Sequence, residues 1–199
     1  MTTPLKDYYY LIKPGIIYGN AINTAAGFFL AAKGNIDFLL LLKTLGGSSL
    51  IIASACVFNN YIDRDIDSKM TRTKNRTLVR GAVPDPIALL YGSLLGVIGF
   101  GVLIIYTNVL TVLVGATGMF FYVVMYSIWK RRSPYGTLVG SISGAVPPVA
   151  GYSAVTNSLD VGALILFLVL VFWQMPHFYA IAIRRREEYK EAGIPVLPV

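Results

Sequence analysis

The stretch LLLLKTLGGSSLIIASACVFNNYIDRDID, residues 39–67, decides the fold. From Leu39 to Phe58 it is an almost unbroken apolar run, about the 20 residues that a helix needs to cross a bilayer. It then turns abruptly polar at Asn59 and stays so through Asp67. If the helix continues through that change, Asn59, Asp63 and Asp67 fall at i, i+4 and i+8. Asn60 joins them at three and seven residues from the two carboxylates, so the oxygens share one helix face and Asp65 points elsewhere. Clustered carboxylates and amides repel unless a cation sits among them. Mg²⁺ suits such a set, because it takes a few carboxylates and shares its remaining positions with water and substrate phosphates. Asp63 and Asp67 are therefore the candidate metal ligands, with Asn59 and Asn60 beside them. Arg72, Lys74, Arg76 and Arg80 follow directly, and phosphate oxygens favour such cations. A merely solvated loop would need neither the spacing nor the run of cations.

The surrounding chain reads as membrane protein. It has 199 residues, 55% hydrophobic and 14% charged, with a mean hydropathy of +0.63. These values exclude an ordinary soluble domain. Six apolar segments are predicted, at Ile16–Ala32, Leu39–Tyr61, Ile87–Tyr106, Val109–Trp129, Thr137–Val155 and Val161–Ile183, which makes an all-α, polytopic transmembrane helical bundle embedded in the lipid bilayer. Of the 17 Lys and Arg, 15 fall on one side of these spans, all but Lys33 and Lys43. The positive-inside rule then places the N-terminus and the long loops in the cytoplasm. The net charge of +7 is thus a matter of topology and loop ligands, and no nucleic-acid partner is expected. The absence of a cleavable signal or transit peptide points to a bacterial cytoplasmic (inner) membrane. Cys56, the single cysteine, lies in an apolar run and reads as a small core residue.

Other features qualify this frame. Gly92 and Gly96, and Gly140 and Gly144, have the small-residue spacing of close helix packing. Pro147-Pro148 inside the fifth span predicts a kink. Tyr122, Tyr126 and Trp129 read either as an interfacial aromatic belt or as a π-lined pocket able to stabilise a carbocation. His177, the only histidine, follows a Pro-bent helix end at the depth of the Asp motif. The second and sixth spans both deliver polar motifs to one face, as internally repeated bundles do.

The pattern Asn59-Asn60-x-x-Asp63-Arg64-x-x-Asp67, with Arg72-Thr73-x-Asn75-Arg76, resembles the first signature of the UbiA superfamily of intramembrane prenyltransferases. Tyr126-x3-Lys130-Arg131-x-Ser133, Gly144-Ala145-x-Pro147-Pro148-x-x-Gly151, Trp173-Gln174-x-Pro176-His177-Phe178 and Tyr189-x-x-Ala192-Gly193-Ile194-Pro195-Val196-Leu197-Pro198-Val199 resemble its haem-modifying branch. The resemblance implies the UbiA-type fold of nine spans, so that residues 1–199 form a single domain holding six of them and cut short at the C-terminus. It implies that farnesyl diphosphate alkylates a vinyl group of haem b and that water adds, with Mg²⁺ at Asp63 and Asp67 as cofactor. Arg72, Arg76, Lys130 and Arg131 would neutralise the leaving group, and Tyr126 would line the site. His177 would ligate or orient the haem, and Arg184 to Arg186 would pair with its propionates. Haem A synthase or terminal-oxidase assembly is the implied partner. Asn60 stands where most of the superfamily has Asp, and Arg185 and Glu188 stand in place of a second Asp pair. Either Glu188 supplies a remaining metal ligand or the arginines bind phosphate directly. Alternatives are a UbiA-type transferase for an aromatic or quinone precursor, a transporter using the Asp cluster as its ion site, and a structural assembly factor.

Overall fold

Long apolar runs without β-alternation satisfy their backbone groups internally as helices, the solution that a bilayer imposes. The computed structural model describes residues 4–195. Six helices in it are long and apolar enough to cross a membrane. They are α2 (Pro14–Ala32), α3 (Phe38–Ile62), α5 (Asp85–Tyr106), a composite of α6 (Val109–Phe120), a π-helical turn (Phe121–Tyr126) and α7 (Ser127–Arg132), then α8 (Gly136–Thr156) and α9 (Val161–Arg184). Short helices α1 (Pro4–Leu11), α4 (Arg64–Lys69) and α10 (Arg186–Glu191) sit at the same end of the bundle. No strand occurs among the described residues. The predicted spans match to within three residues at every boundary. Val196 to Val199 of the last motif lie outside the described residues.

Caps mark the far ends of the spans. Asp37 accepts the Leu40 amide at 2.9 Å, Asn108 accepts that of Thr111 at 3.0 Å, and Asp160 accepts those of Gly162 and Ala163. Each satisfies amides that a helix start leaves open.

Small residues set the packing. On α3 and α5, Gly47 lies against Leu103, Gly99 against Ile51 and Gly92 against Val57, while Ser54 donates to the Gly92 carbonyl at 2.7 Å. Helix α8 is the hub, packed on α2, α6 and α9. A Cβ on Gly27 would run into the Pro148 carbonyl, and one on Gly151 into the Thr24 carbonyl, so α2 and α8 touch backbone to backbone. Thr111 and Ser153 hydroxyls meet at 3.0 Å between α6 and α8.

Two expectations concern proline, and the second changes. Pro147 and Pro148 stay inside one helix, with Pro148 buried against α2. Pro176 likewise lies inside α9, which runs on to Arg184, so His177 sits on a helix rather than after a bent end. In both cases packing holds the helix past the missing amide. The loop at 70–84 is tied back to α1 by Arg80, whose Nη2 lies 2.8 Å from Asp7 Oδ1.

Candidate active site at the mouth of the bundle

The Asp motif straddles a helix break without losing register. Helix α3 stops at Ile62 and α4 starts at Arg64, yet Asp63 N donates to Asn59 O at 2.9 Å and Asp67 N to Asp63 O at 2.8 Å. The i, i+4 ladder therefore carries Asn59, Asp63 and Asp67 down one wall of a cavity of about 800 Å³. The cavity runs between α2, α3, α6, α8 and α9, with polar groups at its mouth and apolar walls below.

Each carboxylate has a cation. Asp63 is 2% exposed; its Oδ2 accepts from Lys130 Nζ at 2.6 Å and from Asn59 Nδ2 at 2.7 Å. Its Oδ1 is buried without a hydrogen bond. Asp67, 4% exposed, accepts from Arg76 at 2.5 Å. Lys13, Arg72, Arg76, Lys130, Arg184 and Arg185 line the cavity, against two carboxylates. That excess of positive charge over an apolar slot fits an anion carrying a hydrocarbon tail.

Aromatic groups crowd the same level. Tyr122 and Tyr126 stack at 6.0 Å on the π-helical turn, a distortion found often at functional sites. Lys130 Nζ lies 5.6 Å from the centre of the Tyr126 ring. On α9, His177 stacks on Trp173 at 5.1 Å, and both line the cavity. Tyr126 thus belongs to the pocket rather than to a lipid-facing belt, whereas Trp129 is absent from the cavity wall.

Three predicted site residues lie elsewhere. Asn60 is one residue, about 100°, around the helix from Asn59. Its Nδ2 donates to the Leu11 carbonyl at 2.8 Å, which ties α3 to α1 rather than lining the cavity. Arg131 turns outward: it grips Asp65 with two contacts of 2.7 Å, donates to the Ile62 carbonyl, and stays 3.6 Å from Asp63 Oδ1. This fork holds the Asp65 carboxyl down at about 2. Glu188 is off the cavity wall and faces Arg185 at 3.4 Å, whereas Arg185 itself lines the cavity.

One residue was not legible as part of the site. Lys13 stands between α1 and α2 with φ 54°, a left-handed conformation costly for a side-chain-bearing residue and more so before proline. The twist carries Nζ into the mouth, 2.6 Å from Asn59 Oδ1, where Tyr122 Oη also approaches at 3.4 Å. Lys13 thereby fixes the Asn59 amide so that its NH₂ faces Asp63. Burial pulls the ammonium down to about 8, with the Arg76 charge adding to it. In folding, this depressed value makes stability rise from about pH 8 towards the lysine's ordinary range.

Among the described residues no three His, Cys, Asp or Glu side chains gather as a ready-made metal cage. The donor set still fits Mg²⁺, which needs only one or two protein carboxylates when phosphates complete its shell. Asp63 and Asp67 are one turn apart, and the Asp63 Oδ1 is left over.

Comparison with known proteins agrees with this geometry. A protoheme IX farnesyltransferase of Edwardsiella ictaluri (strain 93-146) is 57% identical over 98% of this chain and 66% of its own length. One from Serratia proteamaculans (strain 568) is 56% identical over the same shares. The chain thus spans 66% of the length of these curated relatives. Among solved structures, a digeranylgeranylglyceryl phosphate synthase superposes with a TM-score of 0.81 at 20% identity, covering 98% of this chain and 68% of that one. A UbiA homologue from Archaeoglobus fulgidus, bound to DMAPP and Mg²⁺, superposes at 0.77 and 19% identity, over 97% and 68%. The model of the UbiA prenyltransferase family matches residues 20–199. With helix order, site motif and overall similarity in agreement, the chain belongs to the UbiA prenyltransferase family.

Proposed function

We propose that this chain carries the donor site of an enzyme that transfers a farnesyl group from farnesyl diphosphate to a vinyl group of haem b. The observation that carries this reading is the cation-rich mouth, with Asp63 and Asp67 on one wall, set directly above an apolar cavity. The names of the relatives supply the acceptor.

In this reading the diphosphate lies among Lys130, Arg76, Arg72 and Lys13. Asp63 and Asp67 would hold Mg²⁺, which when bound supplies further neutralisation of the diphosphate charge. The farnesyl C1–O bond breaks and its electron pair leaves with diphosphate. Fixed cations already face the charge that develops there, which is the electrostatic contribution. The vinyl π electrons then form the new C–C bond to C1. The resulting cation beside the porphyrin takes up water and loses a proton, giving a hydroxyethylfarnesyl side chain and diphosphate. Tyr122 and Tyr126 present ring faces to the allylic cation. The apolar walls keep water from capturing it early. Trp173 and His177 offer the porphyrin a flat aromatic surface, with Arg184 and Arg185 beyond them for its propionates.

The cations' bias and the relatives' names support a cytoplasmic N-terminus in a bacterial inner membrane, feeding terminal-oxidase haem supply. The test supplies the full-length protein in membranes with farnesyl diphosphate, Mg²⁺, haem b and an aromatic acid together. Mass spectrometry should find farnesylated haem alone. Prenylation of the aromatic acid alone would overturn the haem assignment in favour of a quinone-type acceptor.

Lys13 gives this reading a pH signature. Between pH 7 and 9.5 the ammonium loses its proton, and farnesyl diphosphate affinity should fall about tenfold, the worth of one charged contact. Lys13→Arg should flatten that decline, because a guanidinium stays charged. Titration of the diphosphate onto full-length protein in lipid nanodiscs checks it; identical declines in both proteins would remove Lys13 from the donor site.

A further inference from the structure

Two neighbouring amides on α3 take hold of the link between α1 and α2. Asn59 faces the cavity and accepts the Lys13 ammonium at 2.6 Å. Asn60 lies off the cavity wall, and its Nδ2 donates to the Leu11 carbonyl at 2.8 Å. Leu11 and Lys13 are two residues apart, so the two contacts bracket one turn. Asn60 is 4% exposed, and its Oδ1 is buried without a hydrogen bond. Such an unmet oxygen costs stability, so this amide serves α1 through its donor alone. Turned over, it would set its oxygen against the Leu11 carbonyl, acceptor against acceptor.

The turn itself needs holding. Lys13 has φ 54° and ψ 67° just before Pro14, a conformation that persists only where the surroundings impose it. On the Pro14 side, α2 is packed on α8. On the other side the anchors belong to α1. Leu11 is 1% exposed and packs with Val57 of α3, Leu78 and Val83 of the 70–84 loop and Ala88 of α5. Thr77 donates its hydroxyl to the Asp7 carbonyl at 3.3 Å, and Arg80 pairs with the Asp7 carboxylate. Among these anchors the Asn60 bond lies nearer to Lys13 along the chain than the ties at Asp7. It is also directional, where the apolar contacts of Leu11 are not.

We propose that Asn60 is a positioning residue for the donor site: by pinning the Leu11 carbonyl it sets the left-handed turn that carries Lys13 into the mouth. The proposal rests on the reading of the cavity as a prenyl diphosphate site and adds a residue outside the cavity wall that organises it. A shift of the turn by about 1 Å is enough to cost a positioned group most of its effect.

The test uses full-length protein in lipid nanodiscs, as wild type, Asn60→Leu, Lys13→Met and the double variant. Hydrogen exchange is read on peptides covering residues 8–16. Affinities for farnesyl diphosphate with Mg²⁺ and for haem b are titrated separately. In Asn60→Leu, exchange at the turn should rise about tenfold or more, because local opening no longer breaks a directional bond. Farnesyl diphosphate should bind about tenfold more weakly, the loss expected of Lys13→Met itself, while haem affinity keeps its wild-type value. The double variant should bind farnesyl diphosphate no more weakly than Lys13→Met alone, because the pin acts through the lysine. Asn60→Ser, whose shorter side chain falls short of the carbonyl, decides the matter if Asn60→Leu does not fold. Wild-type exchange at the turn in a folded Asn60 variant overturns the proposal. So do losses that multiply in the double variant, or equal losses for diphosphate and haem. Faster exchange at the turn, with no farnesyl diphosphate bound by folded wild-type protein, would keep the pin on Lys13 and defeat the donor-site reading instead.

Discussion

Replacing Asp63 by Asn should lower haem farnesylation by about a hundredfold or more, the scale on which enzymes lose a group that organises transition-state charge. The side chain is 2% exposed and receives both the Lys130 ammonium and the Asn59 amide on one oxygen. An amide in its place cannot balance Lys130 and has only one oxygen to share. Lys130, whose side chain is 13% exposed, would then face the cavity as an uncompensated charge. Its freedom to follow the diphosphate would not restore the lost carboxylate, because both are needed around the same anion. Asp65 provides the control. It lies two residues away but is 62% exposed and is held outward by Arg131, so Asp65→Asn should keep near-normal product. Product from both variants at the same fractional loss would mean that Asp63 acts through general helix-end electrostatics and not in the cavity.

The largest effect on folding is expected at the contact of α2 with α8. Gly27→Val should destabilise the full-length protein by about 3 kcal/mol or more, the upper part of the range for overpacking, because the obstacle is backbone and cannot rotate aside. The added Cβ meets the Pro148 carbonyl, and Pro148 is itself held by α8's packing on three other spans. Gly151→Val should act similarly through the Thr24 carbonyl. Gly46→Val is the matched control, since nothing lies within 4 Å of a Cβ there. Thermal unfolding in mild detergent, followed by loss of helical signal, reads all three. Equal midpoints for Gly27→Val and Gly46→Val would contradict close α2–α8 contact.

The spans were legible because a bilayer admits few alternatives: an apolar run of about 20 residues has to be a helix, and its ends fall where polar residues begin. The Asp63–Asp67 face was legible for a related reason, since four-residue spacing survives a helix break when the i, i+4 hydrogen bonds continue. Asn60 shows the limit of spacing arguments. Positions three and four residues apart both count as neighbours, yet here one faces the cavity and the other faces α1. Arg131 shows that a cation in a suitable motif can be consumed by a nearer carboxylate, in this case Asp65. Lys13 had no pattern to reveal it. It enters the mouth through a left-handed turn before Pro14, which no periodicity announces, and only the pairing of distant helices brings it to Asn59. The Gly27–Pro148 contact was hidden likewise, since Gly27 has no glycine partner at four-residue spacing within α2.

The most direct test of the site is photo-crosslinking of the full-length protein in membranes with a farnesyl diphosphate analogue carrying its photoreactive group on the terminal isoprene unit, with and without Mg²⁺. Labelling should appear on the cavity wall near Ile51, Gly115 and Ala150, should require the diphosphate, and should be lost in Asp63→Asn. Labelling confined to the outer faces of α5 and α6, and unchanged in that variant, would place the prenyl donor outside the cavity and contradict the site.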